Sequence, residues 1–534
     1  MVRPWKLVVL AYVVIVAGPR FALADDSLHT LLTIVGDSPG QHLGRAISGG
    51  GDINGDGFAD LVVGDPSRKE CRVYLGAPSL SSSPSLVIAQ PETCPGFPPS
   101  TYGGVVSGAR DINGDGYDDL VVTNAEWLYV TGKAYVYYGG AEVDTIPDVA
   151  IAGYGSSWLH EFWSTDLRGR VVGDINGDGY DELACLAYYT VDTGAYVYFG
   201  GAPMDSVHDV GCRGPGYPYL ELGSDIASGD LNGDGFGDLV VGAYGAENHP
   251  EVQDAAWVYF GGTEVDETPD VILSPSRVAR DNTVLVPGDL NGDGFEDVVV
   301  GPSRYTNPTV TDPGCAHVYF GSARMDSVAD LALVGDIDGG CLALAGGDIN
   351  GDGYADLIVC ERPVWHPPYT VGRLSVYLGG ADMDSIPAVV ITGSGRFGET
   401  VTWIGDMNGD GWPEFAVSDP DAAGGPGEIY IYTLAQVGSP PHPLPLPDPV
   451  ALTVAPNPGA GPFHISWSSA AVNPGAVEIV DINGRVVRSL RAGSGGAIVW
   501  DGCNGAGIPV PSGVYVVRMQ EGGVAHSRKV VVVR

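Results

Sequence analysis

Apolar positions come in short runs of a few residues, punctuated by Gly, Pro and Asp, and the same order of runs recurs along most of the chain. One run reads Leu61-Val62-Val63-Gly64, and again Leu239-Val240-Val241-Gly242. Further on comes an aromatic run: Val73-Tyr74-Leu75, Val136-Tyr137-Tyr138, Val197-Tyr198-Phe199, Val258-Tyr259-Phe260, Val318-Tyr319-Phe320, Val376-Tyr377-Leu378 and Ile429-Tyr430-Ile431. A Gly turn then leads to a last short run, such as Asp270-Val271-Ile272-Leu273 or Ala388-Val389-Val390-Ile391. β-branched and aromatic residues dominate these segments and glycine separates them, which predicts strands. With one more strand ahead of the first run, each unit holds four short strands, and almost nothing has the spacing of an amphipathic helix.

Each unit also contains the segment Asp-[Ile/Leu/Met]-Asn-Gly-Asp-Gly-[Phe/Tyr/Trp]. It starts at Asp52, Asp111, Asp174, Asp230, Asp289, Asp348 and Asp406, at intervals of 56 to 63 residues. A near-constant period of this size is the mark of a repeat fold. Seven four-stranded units predict an all-β protein, a seven-bladed β-propeller. The seventh unit runs into a proline-rich stretch before a fourth strand is complete. Residues 28–35, preceded by Asp26-Ser27 as the run at Ala388 is by Asp384-Ser385, are expected to supply that strand and close the ring, leaving no open sheet edge.

Oxygen-bearing side chains fall at positions 1, 3, 5 and 9 of the acidic segment, and position 7 offers a backbone carbonyl. The candidate ligands are Asp52, Asn54, Asp56, Phe58 and Asp60 in the first copy, and Asp111, Asn113, Asp115, Tyr117 and Asp119 in the second. They continue as Asp174, Asn176, Asp178, Tyr180 and Glu182; Asp230, Asn232, Asp234, Phe236 and Asp238; and Asp289, Asn291, Asp293, Phe295 and Asp297. Asp348, Asn350, Asp352, Tyr354 and Asp356, then Asp406, Asn408, Asp410, Trp412 and Glu414, complete the set. An all-oxygen, mostly anionic donor set on a flexible loop suits Ca²⁺, up to seven ions at one per unit, better than Mg²⁺. Zn²⁺ would call for His or Cys, and none lies in these segments. Position 12 is Val63 in the first copy rather than the Glu of an EF-hand, and strand follows rather than helix. A single such segment could be an ordinary Asn-Gly or Asp-Gly turn. Seven copies that keep the same oxygen positions ask for more than a turn. The third and seventh copies carry Glu instead of Asp at position 9, the seventh after Pro413. Asp336-Ile337-Asp338-Gly339-Gly340 and Asp481-Ile482-Asn483-Gly484-Arg485 begin like the motif but do not complete it.

These repeats resemble FG-GAP repeats, the blades of the integrin α-subunit propeller and of its bacterial relatives. Phe397-Gly398 carries the name-giving pair, with Tyr102-Gly103, Leu43-Gly44 and Leu222-Gly223 as altered forms; Gly64-Asp65-Pro66, Gly242-Ala243-Tyr244 and Gly301-Pro302-Ser303 stand at the second element. The resemblance covers about residues 28–434. It implies calcium at positions 1, 3, 5, 7 and 9 of each loop, and an extracellular interaction or adhesion role with an unidentified protein or glycan as partner.

The two ends of the chain differ from its middle. Arg3 and Lys6, an apolar run over 7–17 and Ala22-Leu23-Ala24 read as a signal peptide cleaved near Ala24, so residues 25–436 are expected to form the propeller. Residues 437–449 are proline-rich and read as a stiff linker. Residues 450–534 carry seven Arg or Lys against four Asp or Glu, whereas the whole chain has a net charge of −40, so the acid belongs to the propeller. That polyanion disfavours binding to nucleic acid. No stretch after the first run is long and apolar enough to span a membrane. Residues 450–534 alternate as short strands, predicting a small Ig-like β-sandwich. Ala455-Pro456-Asn457-Pro458, Trp500-Asp501-Gly502, Ser512-Gly513-Val514-Tyr515 and Arg528-Lys529-Val530 resemble the FlgD-type Ig-like fold and the related C-terminal sorting domain of type IX secretion. That resemblance implies export or surface attachment, hence a secreted or cell-surface bacterial protein. An accessory role without sorting is the alternative.

Eight cysteines suit an oxidising compartment, with Cys71–Cys94 and Cys185–Cys212 as candidate pairs by proximity in sequence. No paired-His zinc motif, nucleophile elbow or phosphate-binding loop is present, so an enzyme is not expected. The alternative is a polysaccharide-binding or polysaccharide-degrading propeller that stacks sugars on Trp158, Trp163, Tyr217, Tyr219 and Trp365.

Overall fold

A computed structural model describes residues 28–91, 102–124, 132–152, 167–187, 194–213, 221–244, 256–265, 267–273, 282–302, 313–338, 340–362, 372–393, 395–434, 453–455, 461–466, 476–481, 485–491, 497–505, 507–521 and 524–532. Residues 1–24, read above as a signal peptide, the proline-rich stretch 437–449, Cys94 and the five aromatic residues of the sugar-stacking alternative lie outside them. The chain divides into two units, residues 1–442 and 443–534.

The first unit is a seven-bladed propeller of four-stranded antiparallel sheets. Blade one consists of Ala46–Gly51, Asp60–Asp65, Glu70–Tyr74 and Leu86–Ala89, hydrogen-bonded in chain order. Blades two to six repeat that order over residues 105–152, 167–213, 221–273, 282–338 and 340–393. The first strand of each blade contacts that of the next, and Val401–Gly405 of blade seven returns to Ala46–Gly51. These strands line the inside of the ring.

The apolar runs follow from having a neighbour on both faces. Asp60–Asp65 is buried along its whole length. Val62, with Val73, joins a cluster shared with Leu120, Val122 and Tyr135 of blade two. Leu61 and Val63, with Tyr74, join Ala416, Ile429 and Ile431 of blade seven. Successive side chains of one strand thus enter opposite junctions, and the strand reads as a continuous hydrophobic run rather than an alternating one. Among the described residues the propeller core divides into seven such clusters, one per junction. The outermost strands have solvent on one side and alternate accordingly, as in Leu86–Ala89.

Blade seven is assembled from both ends of the unit. Val401–Gly405, Glu414–Asp419 and Glu428–Leu434 come from the last repeat, and Leu28–Val35 pairs antiparallel with Glu428–Leu434 as the outer strand. Ile34 is fully buried in the junction between blades seven and one. The segment that follows is tied to blade one through charge. Arg72 is almost fully buried; its Nη2 lies 2.8 Å from Asp37 Oδ2 and 2.9 Å from Glu70 Oε1. The Gln41 amide donates to the buried Asp65 carboxylate. The FG-type residues Leu43, Tyr102 and Phe397 lie inside the junctions as well, and the Tyr102 hydroxyl shares a 2.7 Å hydrogen bond with that of Tyr137.

The second unit packs a three-stranded sheet, Thr453–Ala455, Phe463–Ser466 and Ala497–Trp500, against a four-stranded one made of Val486–Arg491, Ala476–Asp481, Gly513–Glu521 and Val524–Val532. Thr453–Ala455 is a strand that hydrophobic patterning does not reveal. Trp500 is fully buried at the centre, stacked on Phe463 at 5.1 Å, and its indole donates to the Cys503 carbonyl. Ala476–Asp481 and Val486–Arg491, on either side of the Asp481 motif, pair antiparallel, and residues 482–484 lie outside the described residues. Asp338 ends the outer strand of blade five, just ahead of the inner strand of blade six, which places the other incomplete motif between blades.

One pairing suggested by sequence proximity is corrected. Cys185 pairs in register with Tyr196, and Cys212 with Ala195, on strands flanking the same central strand. Two strand spacings separate them by roughly 10 Å, beyond the reach of a disulfide.

Replacing Ile34 with Ala should lower the stability of the propeller by about 2–4 kcal/mol. The same change at the partly exposed Leu31 should have little effect. Chemical denaturation of both variants tests whether the N-terminal strand is part of the cooperative unit.

Candidate metal centre

Each acidic segment joins the first and second strands of its blade. In blade one the half-buried Asp52 carboxylate accepts from the backbone N–H of Asp56 (3.0 Å, Oδ1) and of Gly57 (2.8 Å, Oδ2). Asn54 Oδ1 also accepts from Asp56 N–H, and Asp56 Oδ1 accepts from Phe58 N–H, both at 3.0 Å. These bonds curl the loop so that positions 1, 3 and 5 face one centre. The curl depends on Gly55 at φ +72° and Gly57 at φ +88°, which other residues rarely adopt.

Position 9 behaves differently. Asp60 is fully buried: its Oδ2 accepts from Ile53 N–H at 2.9 Å, and its Oδ1 from Gly76 N–H at 2.8 Å. Asp119, Asp238, Asp297 and Asp356 make the same two bonds, to the second loop residue and to the turn glycine after the third strand. The position-9 carboxylate of these five loops is therefore a clasp between two turns as well as a candidate ligand. In blades three and seven, Glu182 and Glu414 keep only the first bond, from Ile175 N–H (2.6 Å) and Met407 N–H (2.7 Å). Glu414 Oε1 turns back to Asn408 of its own loop at 3.1 Å, and the buried Glu182 Oε1 has no hydrogen-bond partner. Among the described residues, three carboxylates converge in these two loops: Asp174, Asp178 and Glu182, and Asp406, Asp410 and Glu414, each trio with oxygens within 4.8 Å of one another. That span is about twice a calcium–oxygen bond, so a single ion can touch all three. The all-oxygen donor set and the orphaned Glu182 oxygen fit a hard cation.

The loops are also locked to their neighbours, which sequence reasoning did not foresee. Asp118, at position 8 of the second loop, accepts from Asp52 N–H at 2.7 Å, and Asp118 N–H donates to Asp52 O. Asp181 and Glu296 hold the loops of blades two and four in the same way. The position-7 aromatic ring of each blade covers the position-4 glycine of the blade before it. A Cβ on Gly55 would meet the Tyr117 ring at 2.4 Å, and one on Gly409 would meet Phe58 at 2.3 Å, so the contact runs on across the closure. Acidity at position 8 and the recurrent glycine after each aromatic run were the available signals for this interlock.

Burial, opposed by the backbone donors and reinforced by the neighbouring carboxylates, pushes Asp60, Asp119, Asp238, Asp297 and Asp356 up to about 7. The same causes raise Glu414 to about 8 and Glu182 to about 9. A carboxyl raised in this way favours the folded state below its unfolded value, near 4, and loses that contribution as pH rises towards its folded value. In calcium-free buffer the chain should therefore melt several degrees lower at pH 8 than at pH 5, and saturating calcium should remove most of the difference. A melting temperature that rises over this window without calcium would contradict the assignment. Gly57→Ala, with open space around its Cβ, should cost about 1 kcal/mol. Gly55→Ala should cost more, because it adds the clash with Tyr117; denaturant midpoints of the two variants make the comparison.

The sequence matches the FG-GAP repeat over residues 222–259, the FG-GAP-like repeat over 52–122 and 348–417, and the FlgD Ig-like domain over 455–523. Phosphatidylinositol-glycan-specific phospholipase D of Rattus norvegicus is 30% identical over 227 residues, 38% of this chain and 27% of that enzyme. Integrin alpha-PS2 of Drosophila melanogaster is 29% identical over 280 residues, 45% of this chain and 19% of the integrin. The chain thus spans about a quarter or less of the length of these relatives. Among solved structures, PorZ, described as an essential bacterial surface component of the type-IX secretion system of Porphyromonas gingivalis, aligns with 93% of this chain and 60% of its own at 13% identity. Its TM-score of 0.38 is too low to bear on function. The matched segments thus place FG-GAP and FG-GAP-like repeats within the propeller, similar to those of integrin α chains, and a FlgD Ig-like domain within the second unit.

Proposed function

We propose that the protein is a secreted or cell-surface calcium-binding propeller that serves as an extracellular interaction or adhesion module. The observation that carries this reading is the ring of seven acidic loops, each interlocked with the next on the same side of the blades. Calcium supplies positive charge at the loop centres. Positions 1, 3 and 5 are held ready by backbone hydrogen bonds within the loop, and position 9 is held by its clasp. The cation's role is structural: it offsets carboxylate repulsion in a chain of net charge −40 and stiffens the loop face for a protein or glycan partner. Integrins among the relatives support an adhesion role, and the FlgD-type domain supports export or surface attachment. The phospholipase D relatives are enzymes by name, but the chain spans only 27% of the rat protein, and a non-enzymatic role is the reading favoured here.

The decisive test is thermal unfolding of the mature chain in chelator and then in millimolar calcium, with bound ions counted by equilibrium dialysis. Each filled site should add about 2.7 kcal/mol once calcium exceeds its dissociation constant a hundredfold. The melting temperature should therefore rise steeply, with several ions bound. Neither a shift nor a bound ion would leave the loops as plain turns. If calcium binds, glycan arrays and cell-binding assays, each with and without chelator, address the partner.

A further inference from the structure

We infer that the seven loops form two classes of cation site, and that the loops of blades three and seven, with Glu at position 9, fill before the other five. This rests on the reading of the loops as calcium sites and deepens it. In the five Asp loops both position-9 oxygens already accept backbone N–H bonds, as in Asp60 with Ile53 and Gly76. A cation there must share those oxygens or loosen the clasp. In blade three the extra methylene lets Glu182 keep its bond to Ile175 N–H with one oxygen while the other stays buried and unpartnered. That oxygen is desolvated in advance, so a cation restores a lost interaction instead of competing with an existing one.

Blade seven also lacks the second clasp, for a topological reason, but its second Glu oxygen accepts from a side chain of its own loop rather than standing unpartnered. Its outer strand, Leu28–Val35, arrives from the N-terminal end, so no turn leads from the third strand to the outer one. Among the described residues none takes the place of the turn glycine that clasps the second oxygen of Asp60. Glu414 Oε1 is directed to Asn408 within its own loop instead. Asp410 is also half-buried, whereas Asp56 and Asp178 are exposed, so the blade-seven loop is the more shielded from water. The first ions to bind would thus rigidify blade three and the blade that closes the ring.

Calcium titration of the full mature chain, by calorimetry and equilibrium dialysis, tests this. Two ions should bind about tenfold or more tightly than the rest, the scale on which changes around a ligand alter metal affinity. Glu182→Gln and Glu414→Gln should each remove one ion from the tight class, and the double variant should remove both while weaker binding persists. Glu182→Asp should move one ion from the tight class to the weak class. Asp297→Asn should leave the tight count at two but lower the melting temperature through loss of its clasp. Circular dichroism and cooperative unfolding serve as the control for folding. Seven equivalent ions, tight binding that survives in the double variant, or tight binding lost in Asp297→Asn would overturn the two-class inference while leaving calcium binding intact. No binding in any variant or in the parent would overturn the calcium reading itself.

Discussion

Every blade of this propeller has two apolar faces and can cover neither by itself. A strand such as Asp60–Asp65 sends Leu61 and Val63 into one junction and Val62 into the other, so its burial depends on a neighbour on each side. An array with free ends would leave two such faces and two sheet edges open to water and to other chains. The ring must therefore close, and the N-terminal strand closes it. Buried Ile34, the Arg72 ion pairs and the Gln41–Asp65 hydrogen bond gather at this one junction because it alone joins segments from opposite ends of the propeller.

The loop ring inherits that closure. Each acidic loop takes part of its shape from the following blade, through an aromatic ring over its glycine, in six of the seven through a backbone bond to its first residue and, in three, through an acidic side chain at position 8. The junction from blade six to blade seven is the looser one. Pro413 has no N–H to offer the preceding loop, and a Cβ on Gly351 would sit 3.6 Å from Trp412, compared with 2.2–2.6 Å at the other junctions. A cation held in such a loop would be coupled to ring integrity, because the loop takes part of its shape from the blade that follows it. In five blades the buried carboxylate at position 9 clasps two turns, and burial there disfavours its charged form.

Much of this was legible in one dimension. The seven-fold period, the four runs per unit and the match between the N-terminal run and an outer strand sufficed to deduce the ring, because each strand's burial is written in its own apolar pattern. The candidate ligands were equally readable, since five positions repeat at fixed spacing. Thr453–Ala455 was not, because three residues are too short a run for periodicity to register. The Cys185–Cys212 pairing failed because nearness in sequence says nothing about the strand that lies between them.

What the sequence determined by itself is the inventory: seven repeats, a strand order within each, an oxygen-rich loop in every one and a basic Ig-like module after an acidic propeller. Only the tertiary structure decided how the position-9 carboxylates are used. Asp and Glu look interchangeable in the motif. Whether a second oxygen is held by a turn glycine or left facing the loop centre depends on what the third strand connects to, and that is a property of the closed ring. Local spacing fixes which atoms are near one another within a loop. The partners that occupy or free those atoms come from strands and blades distant in sequence, and only folding brings them together.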